Sequence, residues 1–402
     1  MFAQKLIVPA FAVIGAVAAQ TTNSVCSQAT ATINSQADAT AFASCSTISG
    51  SVVVSSAASG VISIDGPQQI TGDLTCENAG GLTSFGSTSI GSIGGTFTLN
   101  NLTLLSTLSM SDLTSVKTIA WTALPALSSL TFPSTVSKAT SVTISNTFLS
   151  TLDGINLDTV ATLQIDNNNR LKTFSTQVSN VTSAVNINSN GNSLDVSFPN
   201  LIWAANMTLR NVSSITIPSL ATINGSLGFY GNYMTNIAAP NLTSVGSTAT
   251  GAGSLAFVAN GKLANISMPL LKTVGGADQI ANNTALTGIS FPALTTVGGA
   301  IDFSGNFSTP ELPALTNVKG GFNVQSTAQI DCSGFQSEAG SGKVIQGTFI
   351  CKTTADATTL GSSTTSGSSS TATSTKGAAV SYGVNEGLMG LSVIGGLLQM
   401  LL

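Results

Sequence analysis

The stretch LKTVGGADQIANNTALTGISFPALTTVGGAIDFSGN (residues 271–306) contains one pattern twice, first from Leu271 and again from Leu294. Each copy begins with Leu-x-x-Val, passes through a glycine pair, and reaches a short segment that ends in an asparagine, Asn283 or Asn306. Self-similarity at a period of about 20–29 residues is typical of proteins built from one coil per repeat. This stretch therefore predicts a solenoid.

Two phrases extend the repeat along the chain. The phrase Leu-x-x-Val/Ile recurs at similar intervals, and its last five copies end at Ile223, Val245, Val274, Val297 and Val318. An alternating segment, apolar-x-apolar, predicts a strand with one buried face. An asparagine at a fixed offset after this strand fits a buried amide that bonds the backbone of the next coil. These asparagines are Asn168, Asn190, Asn232, Asn260, Asn283 and Asn306.

The coils leave little room for helices, because each must hold several short extended segments in about 22 residues. We therefore predict a mainly β fold, a parallel β-solenoid flatter than a helix-backed leucine-rich repeat, over residues 20–353. Such a stack needs a cap at each end, because the terminal coils would otherwise expose their cores.

The cysteines are candidates for these caps. Cys26 and Cys45 precede the first clear coil, Cys332 and Cys351 follow the last, and the two pairs have the same spacing in the sequence. In a secreted chain this arrangement predicts two local disulfides. Cys76 is left over, and we predict a buried thiol, with an intermolecular bond or displacement of one cap pair as the alternatives.

The two ends of the sequence have the composition of targeting segments. Residues 1–19 have one basic residue, an apolar run and small residues at the end, which predicts a secretory signal peptide. Residues 377–402 begin with three small residues and end in an apolar tail, which predicts a GPI-attachment signal that is removed. Gly377 is the expected anchored residue, with Ser374 and Ser381 as alternatives.

Residues 354–376 form a separate segment, in which most residues are Ser or Thr. Such a segment cannot bury enough apolar surface to fold, and it is typical of an O-glycosylated stalk. The sequence also contains nine Asn-x-Ser/Thr sequons, so we expect a glycoprotein. Asn306 belongs both to a sequon and to the asparagine pattern, so either the pattern ends before it or the sequon is silent. The sequons are at Asn101, Asn180, Asn206, Asn211, Asn224, Asn241, Asn265, Asn282 and Asn306.

The composition excludes several classes of function. The chain has 402 residues, no histidine and only 7% charged residues, so it has neither histidine-dependent catalysis nor a histidine metal site. Its net charge of −4 gives no basic surface for nucleic acid. The glycine pairs lack the Lys-Ser/Thr of a phosphate loop, and we expect no cofactor and no catalytic residue.

The outward-facing strand residues are the candidates for a functional surface. Their amides, hydroxyls and one tyrosine can bind and stack on sugars, although a merely solvated sheet would have the same composition. Glycoside chemistry would need two carboxylates about 5–9.5 Å apart, and only Asp278 and Asp302, about one coil apart, have a possible spacing. The candidate glycan-contact residues are Gln164, Asp166, Asn186, Asn188, Arg210, Tyr230 and Asp302.

Several phrases resemble the fungal GPI-anchored cell-wall organisation proteins, which are related to extracellular-mutant and sporulation-specific proteins. The similar stretches are residues 200–211 (NLIWAANMTLRN), residues 297–309 (VGGAIDFSGNFST), residues 280–284 (IANNT) and residues 376–379 (KGAA). The resemblance implies repeats like those of the receptor L domain, a right-handed parallel β-helix with leucine-rich-repeat character. The cap cysteines fit this family, whereas Cys76 departs from its pattern.

The resemblance implies a role in organising the cell wall, in the outer leaflet of the plasma membrane or in the wall itself, and it implies no catalytic activity. We expect contacts with wall polysaccharides or wall-assembly proteins. The alternatives are a receptor-like ectodomain that acts with a transmembrane partner, and a carboxylate-dependent glycan-remodelling enzyme.

Overall fold

The computed structural model describes residues 24–355. The predicted signal peptide, the GPI-attachment region and nearly all of the predicted stalk lie outside these residues. The described chain contains two short α-helices, α1 (Gln36–Thr40) and α2 (Ser333–Ser337), and two 3₁₀ turns, Ser24–Ser27 and Ala41–Ser44. All remaining regular structure is β.

The strands are short and evenly distributed along the chain. In chain order they are β1 (Thr30–Ile33), β2 (Thr47–Ile48), β3 (Ser51–Val54), β4 (Ser59–Ser63), β5 (Gln69–Ile70), β6 (Leu74–Glu77), β7 (Gly81–Ser87), β8 (Ser92–Asn100), β9 (Thr107–Met110), β10 (Ser115–Leu124), β11 (Ser129–Thr131), β12 (Val136–Lys138), β13 (Ser141–Thr147), β14 (Ile155–Asp166), β15 (Thr173–Ser175), β16 (Asn180–Asn188) and β17 (Asp195–Ser197). They continue with β18 (Trp203–Ala204), β19 (Met207–Arg210), β20 (Ser214–Thr216), β21 (Thr222–Ile223), β22 (Leu227–Tyr230), β23 (Asn236–Ala238), β24 (Ser244–Val245), β25 (Leu255–Val258), β26 (Asn265–Ser267), β27 (Thr273–Val274), β28 (Asp278–Ala281), β29 (Thr296–Val297), β30 (Ile301–Gly305), β31 (Asn317–Val318), β32 (Phe322–Ser326) and β33 (Phe349–Lys352).

These strands stack in parallel register into a solenoid of about 14 turns, so the predicted fold class is confirmed. The front ladder runs through one strand of each turn: β1, β3, β6, β8, β10, β13, β14, β16, β19, β22, β25, β28, β30, β32 and β33. A side ladder runs beside it and includes β2, β5, β18, β21, β24, β27, β29 and β31. Smaller parallel sheets of four, three and two strands form the back.

The interior of the solenoid is apolar because alternate strand residues point inward. In the front ladder Phe229 and Phe257 occupy the same inward position on neighbouring strands, and their rings stack with centroids 5.1 Å apart. Trp121 is fully buried and packs edge-on against Phe97 at 5.6 Å. Parallel in-register stacking therefore buries identical positions against each other along the axis.

The repeated asparagines form a buried hydrogen-bond ladder where the chain turns after each front strand. The Oδ1 atom of Asn260 accepts bonds from the backbone N and the Nδ2 of Asn232, each at 2.9 Å. Its Nδ2 donates to the carbonyl of Phe229 and to Oδ1 of Asn283, each at 3.0 Å. The side chain of each buried asparagine thus makes hydrogen bonds with backbone groups of the neighbouring turn, which would otherwise lack partners.

The ladder is not continuous, which corrects the simple expectation of six stacked copies. Val212 lies between Asn190 and Asn232 in the stack and supplies no amide, so the asparagines fall into two runs. The second run ends at Asn283, because Asn306 is exposed and the hydroxyl of Ser326 bonds the backbone N and O of Phe307 instead. At the turn that contains Asn306, the front strand β30 is also longer than the preceding front strand, β28.

The residue before each ladder position has a left-handed backbone in ten successive turns, with φ between 52° and 60°. Asparagine and glycine tolerate this conformation best, and they supply seven of the ten positions. The left-handed conformation was not predicted from the sequence, because different residue types occupy this position in different repeats. The ten residues are Asn78, Asn101, Ala123, Asn146, Asn167, Ser189, Asn211, Gly231, Ala259 and Asn282.

Glycines line the opposite bend, where the chain passes from the side ladder into the front ladder. A Cβ atom on Gly298 would overlap the carbonyl oxygen of Gly275, and one on Gly320 would overlap the backbone of Gly299. The glycine pairs are therefore required because backbones of successive turns touch at this bend.

Disulfides close both ends, as predicted, and a short helix accompanies each of them. Cys26 bonds Cys45 beside α1, and Cys332 bonds Cys351 at α2. At the second cap the ring of Phe335 packs against Phe322 in the last turns, with centroids 4.8 Å apart. These caps cover apolar surface that the terminal turns would otherwise expose to water.

Cys76 is a fully buried free thiol in β6, as predicted. It points into the core at the position that Val54 and Leu99 occupy in the neighbouring turns. Burial, with a smaller contribution from the charge of Glu77, raises the pKa of this thiol to about 12. It therefore stays protonated and unreactive at neutral pH.

Replacing Asn260 with alanine should lower the stability more than the loss of an exposed asparagine. The substitution leaves the backbone N of Asn232 and the carbonyl of Phe229 without partners, and we expect a loss of about 3 kcal/mol in the free energy of unfolding. Chemical denaturation measures this loss, with Asn169→Ala as the control because Asn169 is exposed and outside the ladder. Equal denaturation midpoints for the two variants would contradict the role of the ladder.

Candidate functional site

The front face consists of the outward-pointing side chains of the front ladder, and four adjacent strands place most of the predicted contact residues together. Strand β14 presents Gln164 and Asp166, and β16 presents Asn186 and Asn188 in register with them. Strand β19 then presents Thr208 and Arg210, and β22 presents Gly228 and Tyr230. Because neighbouring strands lie about 4.8 Å apart, these residues form one surface about 15 Å long, which we call the polar patch.

Tyr230 and Arg210 form the aromatic end of the polar patch. The guanidinium carbon of Arg210 lies 4.3 Å from the centre of the Tyr230 ring, which is a cation–π contact. The ring leans over Gly228, where a Cβ atom would overlap its Cε2. Burial raises the pKa of the Tyr230 hydroxyl, partly offset by the charge of Arg210. The hydroxyl is therefore a neutral donor and acceptor at physiological pH.

Amides form the other end of the polar patch. Asp166 accepts hydrogen bonds from the Ser145 hydroxyl and from Nε2 of Gln164, the latter at 2.7 Å. The half-exposed side-chain amides of Asn186 and Asn188 make no hydrogen bond within the described residues. These two amides can therefore donate to and accept from an external ligand.

Asp302, the remaining predicted contact residue, lies three strands beyond Tyr230 on the same face, about 14 Å along the axis. Its carboxylate accepts from Nδ2 of Asn323 at 2.8 Å and, more weakly, from Nε2 of Gln279 at 3.4 Å. Burial raises its pKa, and these two hydrogen bonds partly offset the increase. Asp302 therefore belongs to a second polar cluster outside the polar patch.

The strand register separates the carboxylates that were candidates for glycoside chemistry. Asp278 stands in register with Leu255 and Ile301 and points into the core, whereas Asp302 points outward from the next strand. Asp166 and Asp302 share the front face, but they are six strands apart, about 29 Å. Asp166 and Asp302 are therefore much farther apart than the separation of about 5–9.5 Å that paired glycosidase carboxylates require, and Asp278 and Asp302 lie on opposite faces of the sheet, so they cannot flank one glycosidic bond.

A cleft with a volume of about 290 Å³ lies away from the front face, on the described part of the chain. The polar side chains at its wall include Asp153, Asn156 and Gln177. Its wall contains one carboxylate, that of Asp153. The cleft therefore does not provide the pair of carboxylates that glycoside chemistry needs.

The sequons differ in their exposure. Asn180, Asn206 and Asn211 are half-buried, and the amide of Asn206 bonds the backbone of Ser183 and Ser226. The exposed asparagines can accept a glycan without disturbing the core, and their occupancy stays a prediction. They are Asn101, Asn224, Asn241, Asn265, Asn282 and Asn306.

Among residues 24–355, no helix has the length and apolar character needed to cross a membrane. In the same range, no three His, Cys, Asp or Glu side chains gather in a way that could hold a metal ion.

Comparisons with known proteins place the chain among fungal surface proteins. A family model described as "Ecm33: GPI-anchored cell wall organization protein" matches residues 1–43. The chain is 46% identical over 312 residues to "Protein ecm33" of Aspergillus fumigatus, covering 77% of this chain and 76% of that protein. It is 38% identical over 312 residues to "Cell surface GPI-anchored protein" of Arthroderma benhamiae, covering 77% and 78%.

A more distant relative is "Cell wall mannoprotein PST1" of Saccharomyces cerevisiae, which is 33% identical over 322 residues, covering 79% of this chain and 70% of that protein. No solved structure matches the chain. The similarity to the first relative extends over more than three quarters of both sequences. The chain therefore belongs to the Ecm33 family of GPI-anchored cell wall organisation proteins.

Proposed function

We propose that this chain is a non-enzymatic, GPI-anchored glycoprotein of the fungal cell surface and wall, which supports wall organisation by binding wall polysaccharide through its front face. The names of its relatives support the location and the role in the wall. The predicted signal peptide and the predicted anchor at Gly377 support the same location. The predicted Ser/Thr-rich stalk would hold the solenoid away from the membrane.

The observation that carries the binding proposal is the polar patch. It combines unpaired amides, at Asn186 and Asn188, with an aromatic ring held by a stacked arginine. Sugars present hydroxyls at their edges and apolar C–H groups on their faces, so amides and an aromatic ring recognise them together. The patch carries few charges, which fits a neutral polysaccharide.

The direction of the patch also fits a polymer. Successive strands repeat the same outward positions along the solenoid axis, about 4.8 Å apart. A sugar chain that lies along this axis can therefore meet equivalent contacts on several turns. Binding without catalysis is the function that this geometry supports best, because the carboxylates of the front face are separated along the axis.

Replacing Tyr230 with alanine should weaken binding to wall polysaccharide about fivefold, because one stacked ring contributes on the order of 1 kcal/mol. Retention on insoluble β-glucan, chitin and mannan measures this effect with the full-length protein. Phe148→Ala is the matched control, because Arg170 also stacks on Phe148, at 4.2 Å, but that pair lies past the turn and outside the front face.

Binding that falls equally in the two variants would contradict the assignment to the front face. Absence of retention on all three polymers would contradict a glycan-binding role and would favour a protein partner, as in a receptor-like ectodomain. Soluble sugar released during the assay would contradict the non-enzymatic part of the proposal.

A further inference from the structure

Trp203 is one of two tryptophans in the chain, and its position differs from that of buried Trp121. It lies in β18 on the side ladder, where Ala204 points into the core and Trp203 points outward. Its indole is half-buried, and the preceding residue, Ile202, exposes 52% of its surface. Trp203 and Ile202 together thus place apolar surface at the outer side of the side ladder.

The residue beside Trp203 is a glycosylation acceptor. Asn180 starts the sequon Asn180-Val181-Thr182, and it pairs in parallel register with Trp203. Val181 and Ala204, the next pair, point inward, so Asn180 and Trp203 both point outward. Equivalent residues on neighbouring strands lie about 5 Å apart, so the amide of Asn180 is adjacent to the indole.

The side-chain geometry of Asn180 permits a glycan. Its side chain is half-exposed, and its Nδ2 donates one hydrogen bond, to the Ser179 hydroxyl at 3.2 Å. A glycosylated amide keeps one N–H, so this bond can persist while the other position on Nδ2 carries the sugar. The bond to Ser179 would also limit the rotation of the amide and thereby the direction of the sugar.

We propose that Trp203 is the platform on which the first sugar of an N-linked glycan at Asn180 stacks. The apolar face of an N-acetylhexosamine would cover the indole and part of Ile202, removing apolar surface from water. The glycan would thus lie along the side ladder as a fixed part of the surface. This site is distinct from the polar patch and does not depend on its function.

The two tryptophans make the proposal directly measurable. Trp121 is fully buried, so acrylamide quenching of tryptophan fluorescence in the full-length glycoprotein reports mainly on Trp203. We expect Asn180→Gln to increase the quenching constant about twofold and to shift the emission to longer wavelength, because the indole becomes hydrated. Thr182→Ala should have the same effect, because it removes the sequon and keeps Asn180.

Asn265→Gln is the matched control. Asn265 also belongs to a sequon in a short strand, but its register partner is Asn236, which is polar. We expect this variant to leave the quenching constant unchanged. Equal quenching in the wild type, Asn180→Gln and Thr182→Ala would overturn the proposal, and so would an unglycosylated Asn180 in a peptide map of the wild type.

A double-mutant cycle tests the coupling independently of fluorescence. Asn180→Gln should lower the melting temperature when Trp203 is present and should have no effect in Trp203→Ala, because the sugar then has no platform. An equal decrease in both backgrounds would overturn the stacking contact, since it would show that the glycan stabilises the protein without the indole.

Discussion

Gly298→Ala is expected to prevent the C-terminal turns from stacking correctly, with a loss of more than about 4 kcal/mol in stability. The new Cβ would overlap the carbonyl oxygen of Gly275 on the neighbouring turn. Backbone atoms cannot rotate away as a side chain can, so the two turns must separate and break their hydrogen bonds. We expect loss of secreted protein or a strongly reduced melting temperature.

Gly288→Ala is the matched control, because a Cβ at Gly288 has no heavy atom within 4 Å. We expect this variant to be secreted and to melt like the wild type, since alanine also restricts the unfolded chain slightly. Similar melting temperatures for both variants would contradict close backbone contact at the glycine bend.

Asp278→Leu is expected to stabilise the protein at neutral pH. Asp278 is fully buried in the core position between Leu255 and Ile301, and neither of its carboxylate oxygens has a hydrogen-bond partner. Burial raises its pKa from 3.8 to about 8. The folded protein must therefore hold a proton that the unfolded chain releases at neutral pH.

The sign of the pH dependence follows from this difference. A raised pKa in the folded state gives a contribution to stability that is complete below pH 4 and is lost as the pH rises towards 8. At 1.36 kcal/mol for each pKa unit, the wild type should lose roughly 4 kcal/mol between pH 4 and pH 7 through this one group. Asp302, whose pKa burial also raises, acts in the same direction as Asp278. Asp38, Asp65 and Asp331, whose pKa values are lowered, act in the opposite direction at lower pH.

Melting temperatures between pH 5 and pH 8 measure this effect. The wild type should melt at lower temperature as the pH rises, whereas Asp278→Leu and Asp278→Asn should show a much weaker dependence. Asp112→Asn is the control for the loss of one acidic side chain, because Asp112 is exposed. An identical slope in the wild type and Asp278→Asn would contradict a buried, titrating carboxyl at this position.

The fold could be predicted because its two main signals are periodic. The spacing of the Leu-x-x-Val phrase indicated the coil, and the asparagine at its fixed offset indicated a buried ladder that the structure contains. The sequence has Val212 where neighbouring repeats have an asparagine, so the interruption of the ladder could be predicted. Its effect on the hydrogen bonds could not be predicted, because that effect depends on which backbone groups the neighbouring turn presents. The left-handed residues, such as Asn167 and Ala259, share a backbone angle rather than a side chain, so the sequence pattern hid them.

The positions of the candidate residues could be predicted only in part. Alternation within each strand places Gln164, Asn186 and Tyr230 outward, but register decides which residues become neighbours. The degenerate strand of Asp278 illustrates the limit, since its orientation became clear only from its pairing with Leu255 and Ile301. The proximity of Trp203 to Asn180 has the same origin, because a full turn of the solenoid separates them in the sequence.

The most direct test of the central claim is a binding assay with the full-length protein on insoluble β-glucan, chitin and mannan, in which retained protein and released sugar are measured together. A non-catalytic front face predicts retention on at least one polymer, weakened by Tyr230→Ala, with no soluble product. Release of sugar, or failure to bind any of the polymers, would contradict the account.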